Sequence, residues 1–305
     1  MYMQIVSLAQ HLECETVATI GFFDGVHRGH RFLLDELTQR AARAHCASLV
    51  VSFADSPARA LQPASDVYLL TTPLEKVTFF SQAGIDYCLL LDFDARLAQL
   101  TAEEFLTLLH RQCGVRRLLM GYDHHFGSDR LRSVADYQAV ADDVGVALEQ
   151  EEPFTVAGTI VGSRVIRNYL MAGRVDEAAR LLGYNYTISG RVEHGCAIGR
   201  TIGFPTANLS VSPRKLLPKN GVYAVEVEIN GLIYNGLLNI GTRPTVAGDA
   251  RTVEVHIVDF AGDIYGRQLT LRLIKHVRDE QKFDSLDDLK KQIEADKAYL
   301  QRSLT

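Results

Sequence analysis

Two histidines three positions apart are the first residues in this chain whose spacing suggests chemistry. His27 and His30 flank Gly29 in the run Gly21-Phe22-Phe23-Asp24-Gly25-Val26-His27-Arg28-Gly29-His30, between an apolar β-branched run and a helix-length amphipathic segment. At a helix start this spacing lets both imidazoles face one ligand. The unpaired N–H groups there, with the positive end of the helix dipole, favour a phosphate. Two imidazole donors at that point could stabilise charge developing on a phosphoryl group. The plainer alternative is a solvent-facing turn, but the strand–loop–helix context favours the site.

A second constellation lies further along. Gly195, Gly199 and Gly203 precede Pro205-Thr206-Ala207-Asn208. Glycines allow backbone to approach a phosphate closely. A hydroxyl and an amide carbonyl two residues apart suit Mg²⁺ in company with nucleotide phosphates. Glu254 sits mid-run in Val253-Glu254-Val255-His256, so its carboxylate points either to solvent or into an enclosed interior. None of the 23 glycines is followed by lysine, and no G-x-G occurs. A Walker phosphate loop and the dinucleotide fingerprint are both excluded.

The elements that must position these residues fall into two textures. From Thr16 to about Gln150, apolar runs at 17–22, 47–53, 87–91, 117–120 and 146–150 alternate with amphipathic segments at 29–44, 73–83, 102–112 and 134–143. That alternation predicts βαβ units and a doubly wound parallel sheet. In such sheets ligands bind beyond the carboxyl ends of the strands, so the loops after Phe22, Phe53, Leu91 and Met120 matter most. A helical stretch, 163–182, leads into period-two segments at 223–229, 233–238, 252–258 and 269–274. Asn230-Gly231 between the first two is a tight-hairpin signal. This half reads as an antiparallel barrel or sandwich closed by a helix near 286–300. The boundary is expected near Gly183–Tyr186, giving domains 1–183 and 184–305.

Composition bounds the function classes. With 305 residues, 47% hydrophobic and 23% charged, the chain is neither disordered nor a disulfide scaffold. Lys and Arg total 32 against 37 Asp and Glu, a net charge of −5, which argues against a nucleic-acid partner. No stretch approaches the roughly 20 apolar residues of a membrane span, and an N-terminus with no basic flank before an apolar run is not expected to be a signal peptide. Five dispersed cysteines, none in a C-x-x-C pair, read as reduced thiols in a cytoplasmic protein.

Gly21–His30 resembles the signature of the H-x-G-H nucleotidyltransferases, specifically the adenylyltransferase half of bacterial bifunctional riboflavin kinase/FAD synthetases. Thr71-Thr72-Pro73-Leu74-Glu75-Lys76, Leu100–Phe105 and Gly121–Gly127 agree. The second half is independently similar to the riboflavin-kinase signature through Gly190–Gly195, Gly199–Leu209, Gly221–Tyr223, Asn239–Thr245, Val253–His256 and Arg278–Phe283.

The resemblance implies an α/β nucleotidyltransferase domain followed by a β-barrel kinase domain. It implies riboflavin, FMN and ATP as substrates with Mg²⁺ as cofactor. It assigns Thr206 and Asn208 to the metal, and it puts Glu254 inside the barrel as general base for the 5′-hydroxyl of riboflavin. Gly195, Gly199, Gly203, Pro205 and Thr206 would meet the kinase ATP. In the first half His27 and His30 would stabilise the transition state. Gly21, Phe22, Asp24, Gly25, Gly29, Ser163, Arg164 and Arg167 would hold ATP phosphates there. Flavin would be met by Asp123 and Phe126 in the first half, and by Arg278, Glu280 and Asn239 in the second.

The first half departs from the family at several of these loops. A Ser-Ser-Thr-x-Ile-Arg segment becomes Gly162-Ser163-Arg164-Val165-Ile166-Arg167, so two hydroxyls are lost and a guanidinium is gained. The histidine of an Asp/Glu-Pro-His-Pro segment is absent from Ala54-Asp55-Ser56-Pro57, and His124-His125 stand where Phe-Arg is usual. Lost hydrogen bonds to charged groups are worth roughly 1.5–3 kcal/mol each. The reading is therefore a bifunctional enzyme converting riboflavin to FMN and FMN to FAD, monomeric or weakly self-associating. The alternatives are a riboflavin kinase whose adenylyltransferase half is weakened, and a flavin- or nucleotide-binding regulator.

Overall fold

The computed structural model describes residues 3–56, 59, 68–195, 198–245 and 248–303. It divides into two compact units, Met1–Ser163 and Arg164–Thr305.

The first unit is a six-stranded sheet in which every pair is parallel. Its strands are β1 (Gln4–Val6), β2 (Thr16–Ile20), β3 (Ala47–Phe53), β4 (Tyr87–Leu91), β5 (Val115–Met120) and β6 (Ala147–Gln150), in the order β1-β4-β3-β2-β5-β6. The helices are α1 (Arg28–Ala44), α2 (Pro73–Gln82), α3 (Ala102–Cys113) and α4 (Val134–Val144). Alternation along β3 shows why both faces are covered. Val50 packs with Leu34 and Leu37 of α1 and Phe80 of α2. Leu49 and Val51 pack with Phe105 and Leu109 of α3 and Tyr137 of α4. Such double burial selects near-continuous apolar strands. Capping boxes start three helices, pairing Thr72 with Glu75, Thr101 with Glu104 and Ser133 with Asp136. An N-cap of this kind stabilises a helix by about 1 kcal/mol. Strand order reverses at β2, which leaves a crevice between the carboxyl ends of β2 and β5.

The expected strands and helices of this sheet are present, with ends shifted by one or two residues. Edge strand β1 carries only one buried residue, Val6, too weak a pattern to read. The hairpin β7 (Thr155–Val156) and β8 (Thr159–Ile160) also went unforeseen.

Helix α5 (Ser163–Met171), all but its first residue in the second unit, is followed by α6 (Val175–Leu182), where a single helical stretch was expected. Gly173, at φ +79°, breaks it. Then β9 (Thr187–Glu193), β10 (Ala207–Val211), β11 (Gly221–Ile229), β12 (Leu232–Thr245), β13 (Gly248–Ile257) and β14 (Gln268–Asp279) close a barrel in the order β10-β13-β12-β11-β14-β9. The alternative of a sandwich is thereby settled. Tyr223, Val225 and Val227 of β11, Leu238 and Ile240 of β12, and Val253 and Val255 of β13 are buried inside. Asn230 and Gly231 both adopt positive φ and join β11 to β12 as the expected tight turn. A short helix α7 (Ile198–Thr201) precedes β10.

The terminal helix α8 (Leu286–Ser303) is held to the barrel's outer face by Leu300 and Ile293, which meet Val222, Ala224, Leu237 and Val258. Leu286, at the start of this helix, is 54% exposed. No helix among the described residues is long and apolar enough to cross a membrane. Of the cysteines, Cys14, Cys46, Cys88 and Cys113 are free; Cys196 lies outside the described residues.

Candidate functional site

In the first unit, α1 begins at the expected histidines. His27 is its N-cap, and its Nδ1 accepts the backbone N–H of His30 at 3.2 Å. That bond leaves Nε2 as the protonated nitrogen of a neutral His27 ring. The rings of His27 and His30 stack at 3.6 Å between centroids and 16° apart. Burial lowers His27 to about 4. His30 is pushed well below its ordinary value by burial, then by His27 and Lys76. Both rings are thus neutral near pH 7, and a buried Nδ1 of His30 has no partner within the protein. Space at Gly29 is tight: a Cβ there would lie 3.3 Å from His27 Nδ1 and 3.6 Å from Val161 O.

The loop before α1 is strained. Phe23 and Val26 sit at φ +52° and +32°, a conformation that costs of order 1–3 kcal/mol per residue and persists only where the surroundings impose it. Asp24 imposes much of it. Its Oδ1 accepts the backbone N–H groups of Leu70 and Thr71 at 2.9 and 3.1 Å, while Gly25 N–H donates to Thr71 Oγ1 at 3.0 Å. Ser163 Oγ donates to Asp24 O at 2.8 Å, so the helix-opening serine meets the histidine loop through backbone. Arg164 and Arg167 follow within α5, in the second unit; Arg164 is exposed and Arg167 half-buried.

Lys76 was quoted in the sequence only as part of a matching run, without a role. Its ammonium is buried at the carboxyl ends of β2 and β3, donating to Phe22 O at 2.6 Å and Phe53 O at 2.8 Å. It stands 4.1 Å from the centroid of the Phe22 ring. A lysine on an amphipathic helix reads as solvated, so nothing local in the sequence marks it.

The same edge of the sheet holds a cavity of about 650 Å³ whose wall includes Phe22, Phe53, Phe93, Phe105, Asp123 and Phe126. His124 also lines it. Burial lowers this histidine to about 4.

In the second unit, strand register assembles the expected residues into one row. Asn208 of β10 is paired with Glu254 of β13, Glu254 with Asn239 of β12, Asn239 with Val222 of β11, and Val222 with Arg278 of β14. Thr206 Oγ1 donates to Glu254 Oε2 at 3.4 Å. The row corrects one expectation: Glu254 is not inside the barrel. Val253 and Val255 occupy the interior, and Glu254 therefore stands half-buried on the outer face. Interior positions between two buried valines would leave a carboxylate without solvation, which is prohibitively unfavourable.

The glycines of this half act on protein as much as on any ligand. A Cβ at Gly195 would overlap the side-chain amide of Asn208, one at Gly199 would overlap Phe204 O, and one at Gly241 would overlap Glu280 Oε1. Gly203, at φ +86°, has open space around it. Pro205 O bonds His256 Nδ1 at 2.9 Å. Glu280 accepts from Asn220 Nδ2 at 3.2 Å and from Thr242 N at 3.4 Å. Arg278 Nε donates to both oxygens of Asp296 at 3.1 and 2.9 Å, and Gln292 Nε2 donates to Asp296 Oδ1 at 2.8 Å. Asn220 and Asp296 were not foreseen. Each lies far in sequence from the residue it holds, and periodicity carries no pairing information of that kind.

No group of three or more His, Cys, Asp or Glu side chains capable of holding a metal ion occurs among the described residues. That does not bear on Thr206 and Asn208, whose donors are a hydroxyl and an amide. With Glu254 beside them this is a hard-oxygen set, and it fits Mg²⁺ whose remaining positions are filled by phosphate and water.

A parallel-sheet unit with an H-x-G-H corner, followed by a closed barrel with an outer carboxylate–hydroxyl–amide row, defines an enzyme that joins FAD synthetase to riboflavin kinase. The FAD synthetase family matches residues 9–165 and the riboflavin kinase family residues 182–304. The bifunctional riboflavin kinase/FMN adenylyltransferase of Pseudomonas fluorescens is 42% identical over 291 residues, covering 95% of this chain and 92% of that one. The enzyme of the same description from Escherichia coli strain K12 is 40% identical over 294 residues, covering 96% and 94%. A crystal structure named as a macrolide-efflux protein from Streptococcus pneumoniae superposes with a TM-score of 0.88 at 32% identity, covering 97% of this chain and 98% of that one. The chain belongs to the bifunctional riboflavin kinase/FMN adenylyltransferase family. Its substrates are accordingly riboflavin, FMN and ATP.

Proposed function

We propose a division of labour in which residues 184–305 phosphorylate riboflavin and residues 1–183 adenylylate FMN, each with its own ATP. The observation that carries the kinase assignment is the lateral row on the barrel's outer face. It sets Glu254 beside Asn208, opposite Asn239, with the Thr206 hydroxyl within reach. In this reading Glu254 removes the proton of the riboflavin 5′-hydroxyl, and the freed oxygen attacks the γ-phosphorus of ATP as ADP leaves. Thr206 and Asn208 would hold Mg²⁺, which when bound supplies charge neutralisation between the phosphates. Gly195, Gly199, Gly203 and Pro205 shape the loop that meets ATP, while Arg278, Glu280 and Asn239 bound the flavin side.

In the first unit an FMN phosphate oxygen attacks the α-phosphorus of ATP and pyrophosphate leaves. The neutral Nε2–H of His27, with His30, donates to the charge that develops on the transferred group. Gly21, Phe22, Asp24, Gly25 and Gly29 build the corner, and Ser163 braces it through its bond to Asp24 O. The apolar rings around the 650 Å³ cavity, with Asp123 and Phe126 in its wall, suit the isoalloxazine ring. The protein works in the cytoplasm without a nucleic-acid partner, as a monomer or weak homo-oligomer.

The test separates the halves within one polypeptide. Glu254→Gln should lower FMN formation by about 10³-fold and leave FMN-to-FAD conversion intact, while His30→Ala should do the reverse. Equal loss of both steps in a folded variant contradicts the division.

A further inference from the structure

The histidine corner has a buried cation that none of these roles uses. Lys76 stands on α2 and reaches the carboxyl ends of two strands at once, with Phe22 O and Phe53 O as its acceptors. Ser52 Oγ also donates to Phe22 O, at 3.3 Å. Phe22 and Phe53 both line the cavity, so the same ammonium fixes two of its aromatic walls. Its helix is in turn locked to the histidine loop. Thr72 caps α2, and the adjoining Leu70 and Thr71 hold Asp24 and Gly25. The charged and titratable groups that act on Lys76 come from every element around it: Asp24 after β2, Asp55 after β3, Cys88 on β4 and His30 on α1. The Cys88 thiol is pushed up to about 12 by burial and is neutral. Asp24 already accepts two backbone bonds through one oxygen.

We propose that Lys76 is a positioning residue for adenylyl transfer, tying the ends of β2 and β3 and placing a fixed positive charge beside the His27–His30 corner. The charge would favour the anionic phosphates of ATP and FMN, and it would hold His30 as a neutral donor. A positive charge in a low-dielectric setting acts more strongly than one on the surface. In a chain of net charge −5, such local charge is what an anionic substrate needs. This rests on reading that corner as the adenylyl-transfer site.

Lys76 also has a titration that separates its charge from its tie. Burial lowers it from 10.5 to about 8. A neutral amine still carries two hydrogens for Phe22 O and Phe53 O, so deprotonation removes the charge and keeps the bonds. Between about 8 and 10.5 the unfolded chain binds a proton here that the folded chain lacks. This group therefore makes the fold more stable as pH rises through that window. A loss of FAD formation there is not unfolding driven by Lys76.

The experiment measures FMN-to-FAD and riboflavin-to-FMN rates on the full chain from pH 6.5 to 10, for the wild type, Lys76→Arg, Lys76→Met and His30→Ala. The wild type should lose kcat/KM for FAD formation above about pH 8. The limb should shift upward in kcat, because bound phosphates favour the charged amine. Lys76→Arg should lose the limb, and Lys76→Met should lower FAD formation by about 100-fold, with riboflavin phosphorylation unchanged in both. A wild-type profile flat to pH 10, or a limb that persists in Lys76→Arg, overturns the proposal even where Lys76→Met does not fold. Full FAD formation in Lys76→Met with loss in His30→Ala overturns it alone. Full FAD formation in His30→Ala overturns the site reading, and the proposal with it.

Discussion

A carboxylate between buried valines on a strand could serve many ends, and Glu254 is given its chemistry by neighbours that are remote in sequence. Asn208 and Asn239 reach it through register, and Thr206 through its hydroxyl. Gly195, in the loop proposed to meet ATP, belongs to the same arrangement. Its missing side chain is the space that the Asn208 amide occupies. Gly195→Ala should therefore displace Asn208 and lower riboflavin phosphorylation by about 100-fold, with FMN-to-FAD conversion unaffected. Separate assays of the two steps check this. A variant with full kinase activity would show that the close packing at Gly195 has no bearing on the metal-side amide. The two histidines follow the same logic. What distinguishes His27 from an incidental imidazole is the cap bond from His30 N–H, which fixes which nitrogen can donate.

At the scale of elements, the terminal helix does more than cover apolar surface. Leu300 and Ile293 dock it, but Asp296, 4% exposed, pairs with Arg278 in the row that carries Glu254. Removing one partner of a buried ion pair strands the other, at a cost of about 3–5 kcal/mol. Asp296→Ala should thus lower the melting temperature and weaken riboflavin binding, read by circular dichroism and by flavin fluorescence. An unchanged melting temperature would mean that Arg278 is solvated without its partner. The elements themselves were largely legible. Sheet strands such as Ala47–Phe53 and Tyr87–Leu91 are bounded as their apolar runs are, because burial on both faces leaves few polar positions. Less legible were β1, with one buried residue, and the break at Gly173, where glycine within a periodic pattern is ambiguous. Alternation left the face of Glu254 open, because it tells two faces apart without telling which is inside, and the resemblance that put it inside is what the register corrects. Lys76 and Asp296 were invisible, since a buried charge reads as a solvated one until its partner is placed.

For the molecule as a whole, two unrelated folds sit on one chain, and each carries the signature of one of two consecutive reactions. FMN is the product of the barrel and the substrate of the sheet. The departures from the family concentrate in the first half, at Gly162, Arg164, Ser56 and His124-His125. In the second half, register sets the residues proposed for the kinase side by side. Among the described residues of the first unit the histidine pair is stacked, the loop is braced by Asp24, and the aromatic cavity is open. The central claim is therefore that both halves are active. Purified protein incubated with riboflavin, ATP and Mg²⁺, with the flavins resolved over time, tests it most directly. The account predicts that FMN rises first and FAD then accumulates at its expense. FMN as the sole end product, or riboflavin left unchanged, would contradict it.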